Sequence, residues 1–388
     1  MAFYRTGALD APLLPVLTGA SRRQRYTEIT DIVELLREAL AHEPSDIHIN
    51  SGEPVLLEIH GTLHRITEHV MEWTEFENIA RVLRDKEGAT TLLSQGQDYD
   101  DSFTMTDHKG VRRRLRVNMT PTKSIRSNQS ASLILRPMMD KPPLPHEIGL
   151  SPELLAKCYP RNGTVYVIGP TGHGKTTLFG SLIRHAAETG CAWSGHLATY
   201  ESPTEFDLAG LTSKHLLITQ CAISKTTAWG LPTFAGGARN AMRRHPCAVL
   251  IGEVRDYETV VAAVELALTG HPVLATAHAA SPAVAFQRLV TRYPYEQQRA
   301  GLYDLIMTTQ LFLAQLLIPS ADGKLVAIRE WVAFDDSTRQ DFLRLDGPGA
   351  VVGAINEMVM GSKNTFRAEV TALLSAGRIT EQVAMQFF

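Results

Sequence analysis

The chain has 388 residues, enough for two or three domains, and its 44% hydrophobic and 20% charged content is that of a globular protein, which excludes a disordered or fibrous chain. The formal net charge of −3 gives no global attraction to nucleic acid or to an anionic membrane, although Arg112, Arg113, Arg114 and Arg116 form a local basic cluster. No basic start followed by a long apolar stretch marks a signal peptide, and no apolar run approaches the ~20 residues of a membrane span.

Residues 1–24 carry Gly, Pro and Ala without a clear period and read as a loosely ordered segment. Residues 25–137 read as an α+β domain. Ile29, Ile32, Val33, Leu35, Leu36 and Leu40 predict an amphipathic helix over Thr27–Leu40. Ile47–Ile49 and Val55–His60 predict short strands around the turn Ser51-Gly52-Glu53-Pro54. Thr74–Leu83 reads as a second helix opening on a rough capping box, and Leu115–Met119 and Ser132–Arg136 as further strands. Pro137, Pro142, Pro143 and Pro145, around Asp140 and Lys141, place a linker at 138–150.

The pattern changes in residues 151–388. Val165–Ile168 is a β-branched strand, followed by a glycine loop and a helix to about Ala187. Leu197–Tyr200, Cys247–Ile251 and Val273–Thr276 are further strands, with helices at Ala238–Arg244 and Glu258–Leu268. This alternation predicts an α/β fold with a parallel sheet covered by helices on both faces. Leu311–Ile318, interrupted by Gln315, fits a buried helix or a strand, and Asn356–Phe388 reads as terminal helices. The four cysteines, Cys158, Cys191, Cys221 and Cys247, contain no C-x-x-C pair and read as reduced, buried thiols.

The glycine loop carries the strongest chemical signal. Gly169, Pro170, Thr171, Gly172, His173, Gly174, Lys175 and Thr176 spell G-x-x-x-x-G-K-T between a strand and a helix. Glycines let the backbone curl so that several amide hydrogens point inward, and the following helix adds its positive end. Lys175 is expected to reach the β- and γ-phosphates of ATP, and the Thr176 hydroxyl to bind Mg²⁺. Hydrolysis further requires a group that positions water. Glu253, at the tip of the strand ending in Ile251, suits that task; a surface-loop glutamate is the bland alternative. Glu201 and Glu205 can complete Mg²⁺ or water coordination, though loop carboxylates are common. His271 and His278 bracket the strand Pro272–Ala277. A zinc pair lacks two supporting ligands, which leaves a satisfied strand-end histidine or a sensor of the γ-phosphate.

Taken in order, four segments resemble the GspE/PilT-like secretion ATPases. Gly169–Thr177 is similar to their Walker A motif, Thr199–Glu205 to the acidic box, Arg239–Asp256 to the Walker B region and Thr269–His278 to the histidine box. Ser45–Ile49, His60–Leu63 and Arg114–Asn118 resemble parts of the family's N-terminal domain. The resemblance implies a RecA-like ATPase domain behind a smaller α+β (PAS-like) domain, in a ring that is usually a homo-hexamer. Thr177 and His271 would join the nucleotide-binding set. Arg114, Arg116 and Arg136 would reach nucleotide held by a neighbouring subunit, against the alternative of a solvated hairpin face. Ser202 and Cys247 stand where the family usually has Asp, which puts metal coordination by the acidic box in question. A tetracysteine insert is absent, and the general likeness is to the DotB-type ATPases of type IVB secretion and of IncI-type conjugation.

The expected function is therefore an ATP- and Mg²⁺-dependent motor in the cytoplasm, recruited to the inner membrane by a membrane-embedded secretion complex, with a coupling ATPase as a further candidate partner. Direct nucleic-acid binding is not expected. The rivals are a pilus retraction ATPase, a nucleic-acid translocating motor of the same core, and a nucleotide switch that does not hydrolyse.

Overall fold

The computed structural model describes residues 11–15, 19–59, 61–84, 89–124, 127–138, 141–190, 193–224 and 230–388. His60, Asp140, Cys191 and most of the expected N-terminal segment lie outside them. The described residues divide into two units, those up to Met138 and those from Lys141 onward.

The first unit contains α1 (Ile29–Ala41), β1 (Asp46–Asn50), β2 (Pro54–Ile59), β3 (Thr62–Val70), α2 (Trp73–Arg84), α3 (Ala89–Ser94), β4 (Tyr99–Thr106), β5 (Arg112–Ser124) and β6 (Ser127–Pro137). Its six strands form an antiparallel sheet in the order β3-β2-β1-β6-β5-β4. Side chains alternate across a strand. Leu115, Val117 and Met119 of β5 and Ala131, Leu133 and Leu135 of β6 therefore share one buried face, where Ile32, Leu35, Leu36 and Ala39 of α1 join the same core. Helix α1 starts at Ile29, because Glu28 and Asp31 cap each other's backbone amides there. β3 and β4 went unassigned in the sequence because His64, Arg65, Asp100 and Asp101 break their apolar alternation.

The second unit runs through α4 (Pro152–Lys157), β7 (Gly163–Ile168), α5 (Lys175–Thr189), β8 (Gly195–Glu201), β9 (Leu216–Ala222), α6 (Phe234–Ala241), β10 (Ala248–Ile251), α7 (Tyr257–Leu268), β11 (Pro272–Ala277) and α8 (Pro282–Val290). It continues through α9 (Gln298–Thr308), β12 (Thr309–Pro319), β13 (Leu325–Ala333), α10 (Asp336–Leu343), α11 (Gly347–Met360), α12 (Phe366–Ser375) and α13 (Glu381–Ala384). The seven-stranded sheet has the order β13-β12-β7-β11-β10-β8-β9.

The sheet is parallel-rich, as the sequence suggests, and one pair departs from the parallel pattern, since β13 runs antiparallel to β12. The five residues 320–324 between them are too few for a parallel crossover, which needs a dozen or more, so the pair closes as a hairpin. Leu311–Ile318 is thereby a strand rather than a helix. The central strands are buried on both faces, as parallel sheets require. Tyr166, Ile168, Val249 and Ile251 point into the core that holds α7 and α8. Val165, Val167 and Leu250 point into the one that holds α5.

Residues 141–150 belong to this second unit, where Arg184 Nη1 donates to the Pro142 carbonyl at 2.7 Å and Leu150 is buried. Of the cysteines described, only Cys158 is fully buried; Cys221 and Cys247 are half-buried, and all three are free thiols. No helix among the described residues is long and apolar enough to cross a membrane.

Phe312, fully buried, stacks on Tyr166 with 4.9 Å between ring centroids and meets Phe286 and Phe334 edge-on. Phe312→Ala is expected to destabilise the second unit by about 3–5 kcal/mol, the usual cost of an emptied aromatic position. Urea unfolding followed by tryptophan fluorescence measures it.

Candidate functional site

Parallel register decides which residues meet. Ala277 lies opposite Ile168, Ile251 opposite both Tyr200 and Ala275, so β7, β8, β10 and β11 end at the same edge of the sheet. Glu201 ends β8 at that edge, and Gly169, Glu253 and His278 come just beyond it. Ligands of open α/β sheets bind at this carboxyl edge.

The glycine loop joins β7 to α5. Gly169, Gly172 and Gly174 have φ of 148°, 82° and 74°, in the left-handed region that other residues avoid. A Cβ on Gly169 would stand 2.4 Å from the Gln315 carbonyl oxygen, so the loop passes β12 at a distance no side chain permits. α5 starts at Lys175 without a side-chain cap, leaving its first amides directed into the loop. Lys175 is buried, and its Nζ donates to the loop carbonyls of Gly169 at 2.9 Å and Pro170 at 2.7 Å. Burial pulls its pKa below the ordinary lysine value, and the nearby carboxylates of Glu253 and Glu205 oppose that shift. Thr176 and Thr177 follow on the first turn of α5, both half-buried.

Glu253 is pinned from both sides. The Gly252 amide donates to Tyr200 O of β8 at 2.7 Å, and the Val254 amide to Thr276 O of β11 at 2.8 Å. Gly252 suits this close approach, because a Cβ would crowd Tyr200 O at 3.0 Å. The Glu253 carboxylate lies 3.5 Å from His278 Nε2 and 3.7 Å from Arg255 Nη1. Glu201 is buried and accepts from Thr199 Oγ1 at 2.5 Å and Gln220 Nε2 at 3.0 Å. Glu205 is half-buried and close enough to act electrostatically on Lys175. Lys175, Glu201, Glu205, Glu253 and His278 thus surround one edge.

Comparison with known proteins identifies the arrangement. Residues 24–329 match the family described as "Type II/IV secretion system protein". The chain belongs to this family. The X-ray structure of the Legionella pneumophila ATPase DotB is similar over 97% of this chain and 98% of that one, with 32% identity and a TM-score of 0.86. The pilus retraction motor PilT, in a crystal structure with bound ADP, is similar over 92% of this chain and 96% of that one, at 27% identity and a TM-score of 0.76. The type IV pilus retraction ATPase PilT of Pseudomonas aeruginosa is 28% identical over 361 residues, 92% of this chain and 97% of its own.

Two expectations from the family's motifs change in this secretion-family fold. His271 precedes β11, whose six residues separate it from the glycine loop by roughly 20 Å at about 3.3 Å each. Its Nδ1 lies 3.1 Å from Thr269 Oγ1 and 3.3 Å from Leu266 O, so it closes the turn after α7 and does not line the loop's edge. Cys247 likewise precedes β10, at the amino edge, with its amide on His196 O. The missing acid there removes no group from the carboxyl edge. Ser202 does lie at that edge and is exposed, so the acidic box has one carboxylate fewer.

The candidate arginines all lie on the first unit's sheet. Arg116 stands opposite Arg136 across β5 and β6, and carboxylates offset this pairing of like charges. Arg116 pairs with Asp100 at 3.1 Å, Arg136 with Asp46 at 2.8 Å, and Arg114 Nη2 donates to Ser102 Oγ at 3.0 Å. The sequence reading missed Gln220, which holds Glu201, and Gln315, which holds the loop. Gln315 had a visible signal, as the lone polar residue in the apolar run Leu311–Ile318; Gln220 had none.

Gly169→Ala is expected to weaken binding of a fluorescent ATP analogue by at least about tenfold, since displacing the loop or adopting φ near +148° costs about 1–3 kcal/mol. Fluorescence titration measures it, with circular dichroism confirming an unchanged fold.

Proposed function

We propose that this chain is an ATP-hydrolysing motor subunit that works as a homo-hexamer and powers a type IVB-like secretion or conjugation apparatus at the cytoplasmic face of the inner membrane. One observation carries the reading. The glycine loop, a buried lysine that donates to two loop carbonyls, and the carboxylates of Glu201 and Glu253 converge on one sheet edge. The likeness to DotB over nearly the full length of both chains favours the secretion role.

In this reading, backbone amides of Gly169–Thr176 bind the phosphates, with the α5 N-terminus adding positive potential. Lys175 exchanges its two neutral carbonyl acceptors for β- and γ-phosphate oxygens, a stronger charge-assisted pairing. Glu253, held rigid by its neighbours' backbone bonds, orients the attacking water. His278, 3.5 Å away, steadies that carboxylate and lies where it can sense the γ-phosphate. The hydroxyl and carboxylates gathered at this edge offer oxygen ligands, which suit a hard cation, and Thr176 would hold Mg²⁺ with Glu201 and Glu205 acting through water. When bound, the metal neutralises charge on the phosphate oxygens. The first unit serves as the PAS-like domain, its Arg114 and Arg116 acting on nucleotide held by the adjacent subunit. The domains are 25–137 and 151–388, joined by residues 138–150, of which 141–150 pack with the second domain.

A second reading, pilus retraction, has support from the matching PilT relative. Pull-down from the native envelope with the Glu253→Gln variant separates the two by whether secretion or pilus proteins come with it.

Steady-state phosphate release tests the motor. Glu253→Gln is expected to keep ATP binding and to lose about 10²–10⁴-fold in turnover, the usual worth of a positioned proton acceptor. Lys175→Ala is expected to lose binding as well. Wild-type turnover in both variants would remove Glu253 and the loop from the mechanism.

A further inference from the structure

Arg329, on β13, is among the largest fully buried side chains described, at 1% exposure. A buried guanidinium is costly unless its donors are satisfied. Here Nε donates to Gln315 Oε1 at 2.9 Å, Nη1 to Gly149 O at 3.1 Å and Nη2 to Ile148 O at 2.9 Å. Its backbone amide donates to the Glu369 carboxylate of α12 at 2.6 Å. Burial lowers the pKa of Arg329, and the negative charge of Glu369 opposes this.

The bond to Gln315 matters most. Arginine has donors only, so the glutamine must turn its oxygen toward Arg329. Its amide nitrogen is thereby aimed at the glycine loop, where Nε2 donates to His173 O at 2.9 Å. Two residues on, the Leu317 amide donates to His173 Nδ1 at 2.9 Å. The pairing of β12 with β7 ends at Ala314 and Ile168, so Gln315 and Leu317 lie just past it, alongside the loop. A single buried cation thus sets the orientation of the amide that holds the loop. The same cation holds residues 148 and 149.

We infer that Arg329 is a positioning residue for the phosphate-binding loop, acting through Gln315, and that the Ile148–Gly149 segment biases the loop through the same guanidinium. The inference rests on the reading of Gly169–Thr176 as the ATP site. It adds a support on the last two strands, outside the four family motifs. A displacement of residues 148–149 would strip two acceptors from the guanidinium and loosen the bond that orients Gln315.

Two substitutions in the full-length chain test this. Gln315→Glu keeps a partner for Arg329 but faces an acceptor oxygen toward His173 O, removing the loop bond with little change in shape. Arg329→Met removes the orienting cation. Each is expected to raise KM for ATP at least fivefold while kcat falls less than twofold. Each is also expected to speed amide hydrogen exchange of residues 172–175 in the nucleotide-free protein, with circular dichroism confirming that Gln315→Glu stays folded. Wild-type KM and wild-type exchange in Gln315→Glu would overturn the inference, even if Arg329→Met melts lower. A wild-type protein without ATP turnover would instead sink the proposed function, and the exchange measurement would still decide whether Arg329 and Gln315 position the loop.

Discussion

Gly169 lies so close to the Gln315 carbonyl that no side chain fits between them. This contact fixes where the chain leaves the sheet and where α5 begins. Three glycines in left-handed conformations turn the backbone within six residues, and each carries a conformational cost that other residues could not meet as cheaply. The loop is not self-supporting. β12 supplies Gln315 and Leu317 to hold His173, and β12 in turn leans on β13 and its buried arginine.

Parallel register then does the sorting. Residues that follow β7, β8, β10 and β11 gather at the loop, whereas residues that precede those strands are carried to the far edge. This separates Glu253 from Cys247 and His278 from His271, although each pair is close in sequence. The hydrogen bonds beside Glu253 explain how a loop carboxylate can be held precisely: its two neighbouring amides donate to carbonyls of two different strands, β8 and β11.

Much of this was legible in the sequence. The loop, its flanking strand and helix, and the carboxylates after the strands follow from local pattern, because β-branched runs and glycine spacing are local signals. What was not legible depends on pairing. The two histidines already read as bracketing one strand, but which of them meets the loop follows only from the register that sets Ala277 beside Ile168. The sheet read as parallel because Arg329 and Glu330 split β13 into two short apolar pieces, Leu325–Ile328 and Trp331–Ala333, and gave no sign of a hairpin with β12. Gln315 and Arg329 are fourteen residues apart and meet only through that hairpin.

Magnitudes also separate the arginines of the first unit. Arg116 and Asp100 are each about one-third exposed, and exposed pairs contribute roughly 0–1 kcal/mol, so Arg116 can exchange its partner for a phosphate at little cost. Arg136 pairs with Asp46, whose side chain is only 9% exposed. Removing Arg136 would leave a buried carboxylate without its cation, a change that costs several kcal/mol where the charge is fully enclosed. Under the proposed ring-forming function, Arg116 is therefore the better candidate of the two for a neighbouring subunit's nucleotide, and Arg136 the better suited to hold β6 against β1. The distinction rests on the carboxylates behind the arginines, since Arg136 on β6 is itself the more exposed of the two, at 61% against 33% for Arg116 on β5.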